Sequence, residues 1–594
     1  MSPNLMHPLQ KEEIVIRGLA ASPGVVHGPA FLFHQRELDV EPYKVGSGQR
    51  DEEIVRFDQA ILQTRRQISK IRAQIAESLG EEEAQIFDAH LLVLDDKALL
   101  DETIHEFWET GLNIEYCFKV IASRFMEAFE NINDEYIRER VADIRDVTRR
   151  ILGNLVGKVD INLAELKERR IIVSEDLTPS ETAGLEVGHV LGIATDAGGL
   201  TSHMIIMARS IEVPAVVGLH EVSRKVKPGD MMLIDGYEGV VIINPSEQNL
   251  FVYGEIELKH QHDRELYHAS ARESAITIDG NEMILRSNIE GYEDMARLKE
   301  SGAIGVGLFR TENIYLRAKG FPSEEEQFRV YRHIVEEFSP DPVTIRTLDL
   351  SGDKGLIDEH FREEEENPFM GYRAIRFSLE ETKIFKVQLR AILRASFFGK
   401  VKIMYPMISG REELRDARSL LAEVKLELSS EGFEYDSKIE EGSMIEIPSA
   451  AVTADLLAEE SDFFSIGTND LIQYLLAVDR VNDRISHLYE PTHPAVLRTI
   501  KSIIDAGHRA GIPVYVCGEM AGDPIFAPML FGLGADELSA TPSCLPEIKH
   551  LIRRMKFLDA QELAQKLVEI SDSHSIKREL LKFHRNHSVT SAEN

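Results

Sequence analysis

The run Val190-Leu-Gly-Ile-Ala-Thr-Asp-Ala-Gly-Gly-Leu-Thr-Ser-His-Met-Ile-Ile-Met-Ala-Arg-Ser210 joins two textures. Its first six residues are apolar and read as a buried strand. Ile206, Met207 and Ile211 then recur at helical spacing. Between them lie a glycine pair, Gly198-Gly199, and two hydroxyl residues, Thr201 and Ser202. The pattern predicts strand, glycine turn and helix, with His203 at or near the first helical turn. Thr201 or Ser202 could cap that helix or hydrogen-bond a phosphate. The first backbone N–H groups of a helix lack partners and its dipole is positive there, so a phosphoryl group is stabilised. An imidazole so placed is biased toward its neutral, nucleophilic form. Two readings fit the local pattern: a phosphoryl-accepting histidine, and a histidine that simply follows a helix cap.

Outward from this run, short apolar stretches punctuated by Gly18, Pro23-Gly24 and Gly28-Pro29 read as strands and tight turns. Ile54, Phe57, Ile61, Ile68, Ile71 and Ile75 are then spaced as on a helix that packs against another. Further helical stretches follow at residues 82–94, 98–110, 114–129 and 134–155, predicting a subdomain of roughly four helices. Strand texture resumes at residues 169–173, and Thr178-Pro-Ser-Glu181 reads as a capping box. Met231–Ile234 and Val240–Ile243 are further strands. The expected layout is a disordered start at 1–13, and an α/β domain made of 14–36 and 158–247. A helical insertion follows at 37–157, then a linker helix at 248–275, a third domain at 276–570 and a basic tail at 571–594.

In that third domain, apolar runs lie at Met283–Ser287, Ala303–Phe309, Val343–Leu348, Val401–Tyr405, Ser443–Ile447, Phe463–Ile466, Val514–Cys517 and Glu537–Ala540. Eight runs separated by helical stretches over roughly 260 residues have the rhythm of a (β/α)8 barrel, whose chemistry sits at the C-terminal strand ends. Arg310, Arg346, Glu446, Asp470, Arg480 and Cys517 fall there. Arginines clamp phosphate and carboxylate. Glu446 and Asp470 could share a Mg2+ with substrate oxygens. The set suits a small, doubly anionic, phosphorylated carboxylic acid bound through a metal.

Composition narrows the class. The chain has 594 residues, so several domains are expected. Its 67 Lys+Arg against 101 Asp+Glu give a net charge of −34, which disfavours nucleic-acid binding. Cys117, Cys517 and Cys544 are too few and too scattered for a disulfide framework or zinc site. With no leader and no membrane-length apolar run, a cytoplasmic protein is expected.

Seven longer matches carry a resemblance. They are Asp176-Leu-Thr-Pro-Ser-Glu-Thr182, Gly198-Gly-Leu-Thr-Ser-His203, Gly307-Leu-Phe-Arg-Thr-Glu312, Glu365-Glu-Asn-Pro-Phe369, Phe463-Phe-Ser-Ile-Gly-Thr-Asn-Asp470, Ala477-Val-Asp-Arg480 and Cys517-Gly-Glu-Met-Ala-Gly-Asp523. In this order, from Ala20 to about residue 560, the chain resembles enzyme I of the bacterial phosphotransferase system, the phosphoenolpyruvate–protein phosphotransferases. The fold this implies is α/β and multidomain: a swivelling β/α phosphohistidine domain with an inserted helical carrier-binding subdomain, then a (β/α)8 barrel. The resemblance makes His203 the phosphorylated nucleophile and Cys517 the proton donor. It makes Arg310, Arg346, Asn469, Asp470 and Arg480 phosphoenolpyruvate contacts, and Glu446 and Asp470 Mg2+ ligands. It implies that the carrier protein HPr docks on the helical insertion and takes the phosphoryl group for sugar uptake or regulation. It also implies a homodimer through the barrel and a linker helix that lets the histidine domain swing. Leu200, Met204 and Ile205 depart from the family pattern beside the histidine, where Arg or smaller residues are usual. The start of the chain shows no preceding sensory domain, which points away from the family's nitrogen-regulatory branch.

Two other readings are open. A phosphoenolpyruvate synthase or pyruvate phosphate dikinase shares the histidine domain and barrel but needs a large ATP-binding domain. A non-catalytic docking protein on a decayed scaffold would have lost some of the assigned residues, all of which are present.

Overall fold

The computed structural model describes residues 13–33, 40–78, 86–130, 135–157, 168–177, 181, 187–198, 208, 213–318, 321–350, 367–480, 482 and 484–588. The chain forms two compact units, Met1–Gln261 and His262–Asn594, and the boundary falls inside the helix Glu247–Ala271.

The first unit is built on an eight-stranded sheet: β1 (Ile14–Arg17), β2 (Leu19–Ser22), β3 (Val25–Phe33), β4 (Arg170–Ser174), β5 (Val190–Thr195), β6 (Ala215–Val217), β7 (Met231–Asp235) and β8 (Val240–Ile243), in the order β1-β8-β7-β3-β4-β5-β6-β2. β3, β4, β5 and β6 run parallel, and the outer pairings are antiparallel. The parallel strands are continuous apolar runs because both faces are covered: Ile171, Ile172 and Val173 are all fully buried.

Between β3 and β4 lie five helices among the described residues, Arg50–Ser78, Ile86–Leu94, Lys97–Thr110, Ile114–Glu130 and Glu135–Val156, which match the five helical stretches of the sequence. Residues 86–110 hold two of them, separated by a sharp break. Asp96 accepts hydrogen bonds from Ala98 N (2.9 Å) and Leu99 N (3.2 Å), capping the second of two short helices. Phe57, Ile68, Phe107, Phe118 and Val147 form the core of this bundle.

The second unit is the expected barrel. Its strands are β9 (Ile284–Ile289), β10 (Val306–Phe309), β11 (Val343–Arg346), β12 (Val401–Tyr405), β13 (Glu440–Ile445), β14 (Phe463–Ile466), β15 (Val514–Val516) and β16 (Glu537–Ala540), all parallel and closed by β16 against β9. Several boundaries shift from the sequence reading. β10 starts at Val306 because Gly302 and Gly305 adopt left-handed φ of 69° and 83° just before it. β13 ends at Ile445 because Pro448 opens the next helix. Leu308, Met404, Met444, Phe463, Tyr515 and Cys517 form a buried cluster of their own inside the barrel.

The basic stretch expected as a tail contains a helix, Ser573–His587, with Ile576 and Leu580 fully buried. Ile576, Leu580 and Phe583 recur at helical spacing, an apolar stripe that the surrounding charges obscure. The expected disordered residues 1–12 and the capping residues 178–180 lie outside the described residues.

Candidate functional site

His203 lies outside the described residues, as do Thr201, Ser202, Leu200, Met204 and Ile205. The structure does show what holds the ends of this stretch. β5 runs into Asp196, whose carboxylate caps the short helix Val222–Lys225 by accepting from Val222 N and from Ser223 N (3.2 Å). Ala197 N donates to Glu175 O (2.8 Å) and Gly218 N to Ala197 O (3.3 Å). Gly198 has φ 109°, a conformation side chains other than glycine's rarely adopt, so the turn demands glycine there. On the far side, Val213 N donates to Ala208 O (3.0 Å).

The barrel supplies the better-defined chemistry. Arg310 follows β10, and its Nη1 pairs with Glu290 Oε1 at 3.0 Å. Arg346 closes β11 and lies between two acids: Nη2 is 2.8 Å from Glu312 Oε1 and Nη1 is 3.0 Å from Asp349 Oδ2. The other oxygen of Asp349 takes Arg373 Nη2 at 2.8 Å, and Arg373 reaches Asp470 Oδ2 at 3.3 Å. Arg480 meets Asp470 Oδ1 at 3.6 Å. Glu312, Arg346, Asp349, Arg373, Asp470 and Arg480 thus form one chain of alternating charge across the barrel mouth. Burial works against the charge of Arg346, yet Glu312, Asp349 and Glu446 hold its pKa well above the ordinary arginine value. The Nε atoms of Arg310 and Arg346 are buried without a hydrogen-bond partner, a demand that a bound anion would meet.

Glu446 sits just past β13, where Pro448 turns the chain into a helix. It is 2% exposed, and its Oε1 accepts from Met407 N at 2.7 Å. Burial, then the charges of Asp470 and Asp349, push its pKa up to about 8 despite the neighbouring arginines. A Cβ on Gly467 would lie 2.5 Å from Glu446 Oε2, so the glycine makes room for this carboxylate. Among the described residues no group of three or more His, Cys, Asp or Glu could hold a metal alone. Glu446 and Asp470 nevertheless fit a divalent cation. Burial and the charge of Asp470 together raise the Glu446 pKa, and a divalent cation between the two carboxylates would relieve that repulsion.

Cys517 follows β15 and is 3% exposed. Burial pushes its pKa up to about 11, with Glu446, Arg346 and Arg310 close enough to act on it. Its Sγ donates to Ile466 O at 3.7 Å. Asn469 is turned toward Glu519: its Nδ2 donates to Glu519 Oε1 (2.9 Å) and its Oδ1 accepts from Glu519 N (2.8 Å).

The barrel residues named from the sequence therefore gather at one mouth. Glu312, Asp349 and Arg373 join them unannounced. Asp349 carries a faint signal, three residues past Arg346 in one short loop. Nothing local marks Arg373, which starts a helix more than twenty residues downstream.

Three family models match the chain. They are the phosphoenolpyruvate-utilising enzyme N-terminal domain at residues 17–140, the mobile domain at 166–239 and the phosphoenolpyruvate-binding domain at 264–557. A phosphoenolpyruvate-protein phosphotransferase of Bacillus sp. (strain S) is 42% identical over 564 residues, 95% of this chain and 97% of its own. That of Geobacillus stearothermophilus is also 42% identical over 564 residues, with the same coverage. A solution structure of an Enzyme I protein is 39% identical over 41% of this chain and 99% of its own, with a TM-score of 0.36.

Proposed function

The chain belongs to the phosphoenolpyruvate–protein phosphotransferase family, and on that premise we propose that it moves the phosphoryl group of phosphoenolpyruvate onto His203 and then onto HPr. The observation that carries the reading is the charge chain at the barrel mouth, with Glu446 and Cys517 buried beside it.

Arg310, Arg346 and Arg480 grip the phosphate and carboxylate of the substrate, and Asn469 contributes once its amide leaves Glu519. Phosphoenolpyruvate-utilising enzymes work with a divalent metal. We assign it as Mg2+ held by Glu446 and Asp470, where it would neutralise charge on the phosphoryl and enolate oxygens. His203 Nε2 attacks phosphorus. The bond from phosphorus to the oxygen on C2 breaks, and its electron pair stays on that oxygen. As the enolate collapses to the C2 carbonyl, C3 takes the proton of the Cys517 thiol, giving pyruvate. The thiolate regains a proton from water. A thiol with a raised pKa suits this step because it is fully protonated at neutral pH.

Phosphohistidine then passes the group to a histidine of HPr docked on the helical insertion, as the first step of a sugar-uptake or regulatory relay. Motion about the helix Glu247–Ala271 would let one histidine serve both donor and carrier. A homodimer through the barrel and a cytoplasmic location complete the reading. No described helix is long and apolar enough to cross a membrane.

Incubation with labelled phosphoenolpyruvate and Mg2+, comparing the native chain with His203→Ala, tests this. The expected result is an acid-labile, base-stable label on the native chain alone, with pyruvate released. No label on the folded native chain at saturating Mg2+ overturns it.

A further inference from the structure

The carbonyl of Cys517 is held by a side chain from the opposite edge of the barrel seam. Pairing between β15 and β16 stops at Val516 and Leu538, so the ladder ends before Cys517. Asn288 Nδ2 donates to Cys517 O at 3.1 Å. Asn288 lies on β9, two residues past Arg286, and alternation along a strand puts both side chains on one face. Arg286 pairs there with Glu537 of β16. One layer nearer the mouth, Ser539 of β16 repeats the arrangement: its Oγ donates to Asn288 Oδ1 at 2.6 Å. The carbonyl of Cys517 can only accept and the amide oxygen of Asn288 is taken by the serine, so the amide is oriented by its two partners together.

On the other side, Cys517 N donates to Ile466 O at 3.2 Å, and the thiol leans on the same carbonyl. The following residue has no slack either. A Cβ on Gly518 would lie 1.9 Å from Thr468 Oγ1. With N–H, C=O and the next residue all fixed, the direction of the Cα–Cβ bond, and hence the reach of the thiol, is set.

We propose that Asn288, oriented by Ser539, is a positioning residue that aims the Cys517 thiol at one face of the enolate carbon. The inference rests on the reading of Cys517 as proton donor. In the step concerned, the S–H bond breaks, its proton forms the new C3–H bond using the enolate π pair, and the oxygen electrons close the C2 carbonyl. If the thiol is misdirected, phosphoryl transfer still occurs, but enolpyruvate escapes and takes its proton from water on either face.

The test is a single turnover with enzyme in excess, using the full chain, Mg2+ and phosphoenolpyruvate carrying one deuterium at C3 in defined geometry, in tritiated water. Protonation on one face yields a chiral methyl group in pyruvate, and protonation on both faces yields a racemic one. The native chain is expected to give a chiral product and Cys517→Ala a racemic one. Asn288→Ala and Asn288→Asp are expected to be largely racemic, with pyruvate formation slowed roughly tenfold and the KM for phosphoenolpyruvate held within about twofold. Ser539→Ala, which frees the amide to turn, is expected to fall between native and Asn288→Ala, and it keeps the test open should the Asn288 variants fold poorly. Chirality retained in the folded Asn288 and Ser539 variants but lost in Cys517→Ala overturns the positioning role alone. Chirality retained in Cys517→Ala overturns the donor reading and this inference with it.

Discussion

The sheet of the first unit stays open, with β1 at one edge and β2 at the other, whereas the barrel of the second unit closes β16 onto β9. Both have eight strands, but closure changes what strand ends can do. In the open sheet the end of β5 delivers one turn, anchored through Asp196 and Ala197, toward the stretch that holds His203. In the barrel the ends of β10, β11 and β14 bring Glu312, Arg346 and Asp470 into one chain of ion pairs, with Glu446 after β13 and Cys517 after β15 buried close by. A converging electrostatic site for a small anion needs many strand ends on one rim. A site carried by one side chain needs only one anchored strand end.

This contrast breaks most easily at Arg346, which shares two acids and leaves a buried Nε unpaired. Arg346→Met is expected to lower the rate of pyruvate formation on the order of 10²–10³-fold, read by coupled assay, and a loss of only about twofold would show that the charge chain does not hold the substrate.

Gly467→Ala probes the rim more gently, by crowding Glu446 Oε2. The Mg2+ concentration for half-maximal rate is expected to rise roughly 10–100-fold. An unchanged Mg2+ dependence would detach Glu446 from the metal.

The Cys517 thiol should stay protonated through neutral pH and ionise only as pH rises through about 11, so the acid step is lost from the alkaline side. Ultraviolet difference spectra between the native chain and Cys517→Ala read the thiolate directly. Ionisation near the ordinary 9.0 would mean the mouth is wetter than its burial implies.

The smallest effect lies in the open sheet. Asp196→Ala removes the cap of the helix Val222–Lys225 and is expected to cost about 1 kcal/mol in the first unit, with the barrel's unfolding transition unmoved. Calorimetry that finds both transitions shifted together would show that the two units unfold as one.

Much of this was legible from residues alone. Apolar runs separated by helical stretches specify a (β/α)8 barrel because strand and helix periods are local properties of the chain. The charged residues at those run ends were legible too, since an arginine or glutamate closing an apolar segment is locally conspicuous. The helix at Ser573–His587 is not legible in the sequence because its apolar stripe is short and its charges dominate the composition.

Tertiary structure alone decided which of the charged residues meet. Arg373 joins Asp349 to Asp470, although these three residues are far apart in the chain, and through Asp349 it reaches Arg346. The same holds for Asn288, Ser539 and Cys517, brought within hydrogen-bonding distance only because the barrel closes. Periodicity is written between neighbours in sequence and survives without a fold. Ion pairing falls off steeply with distance, so its partners exist only once closure has set the distances.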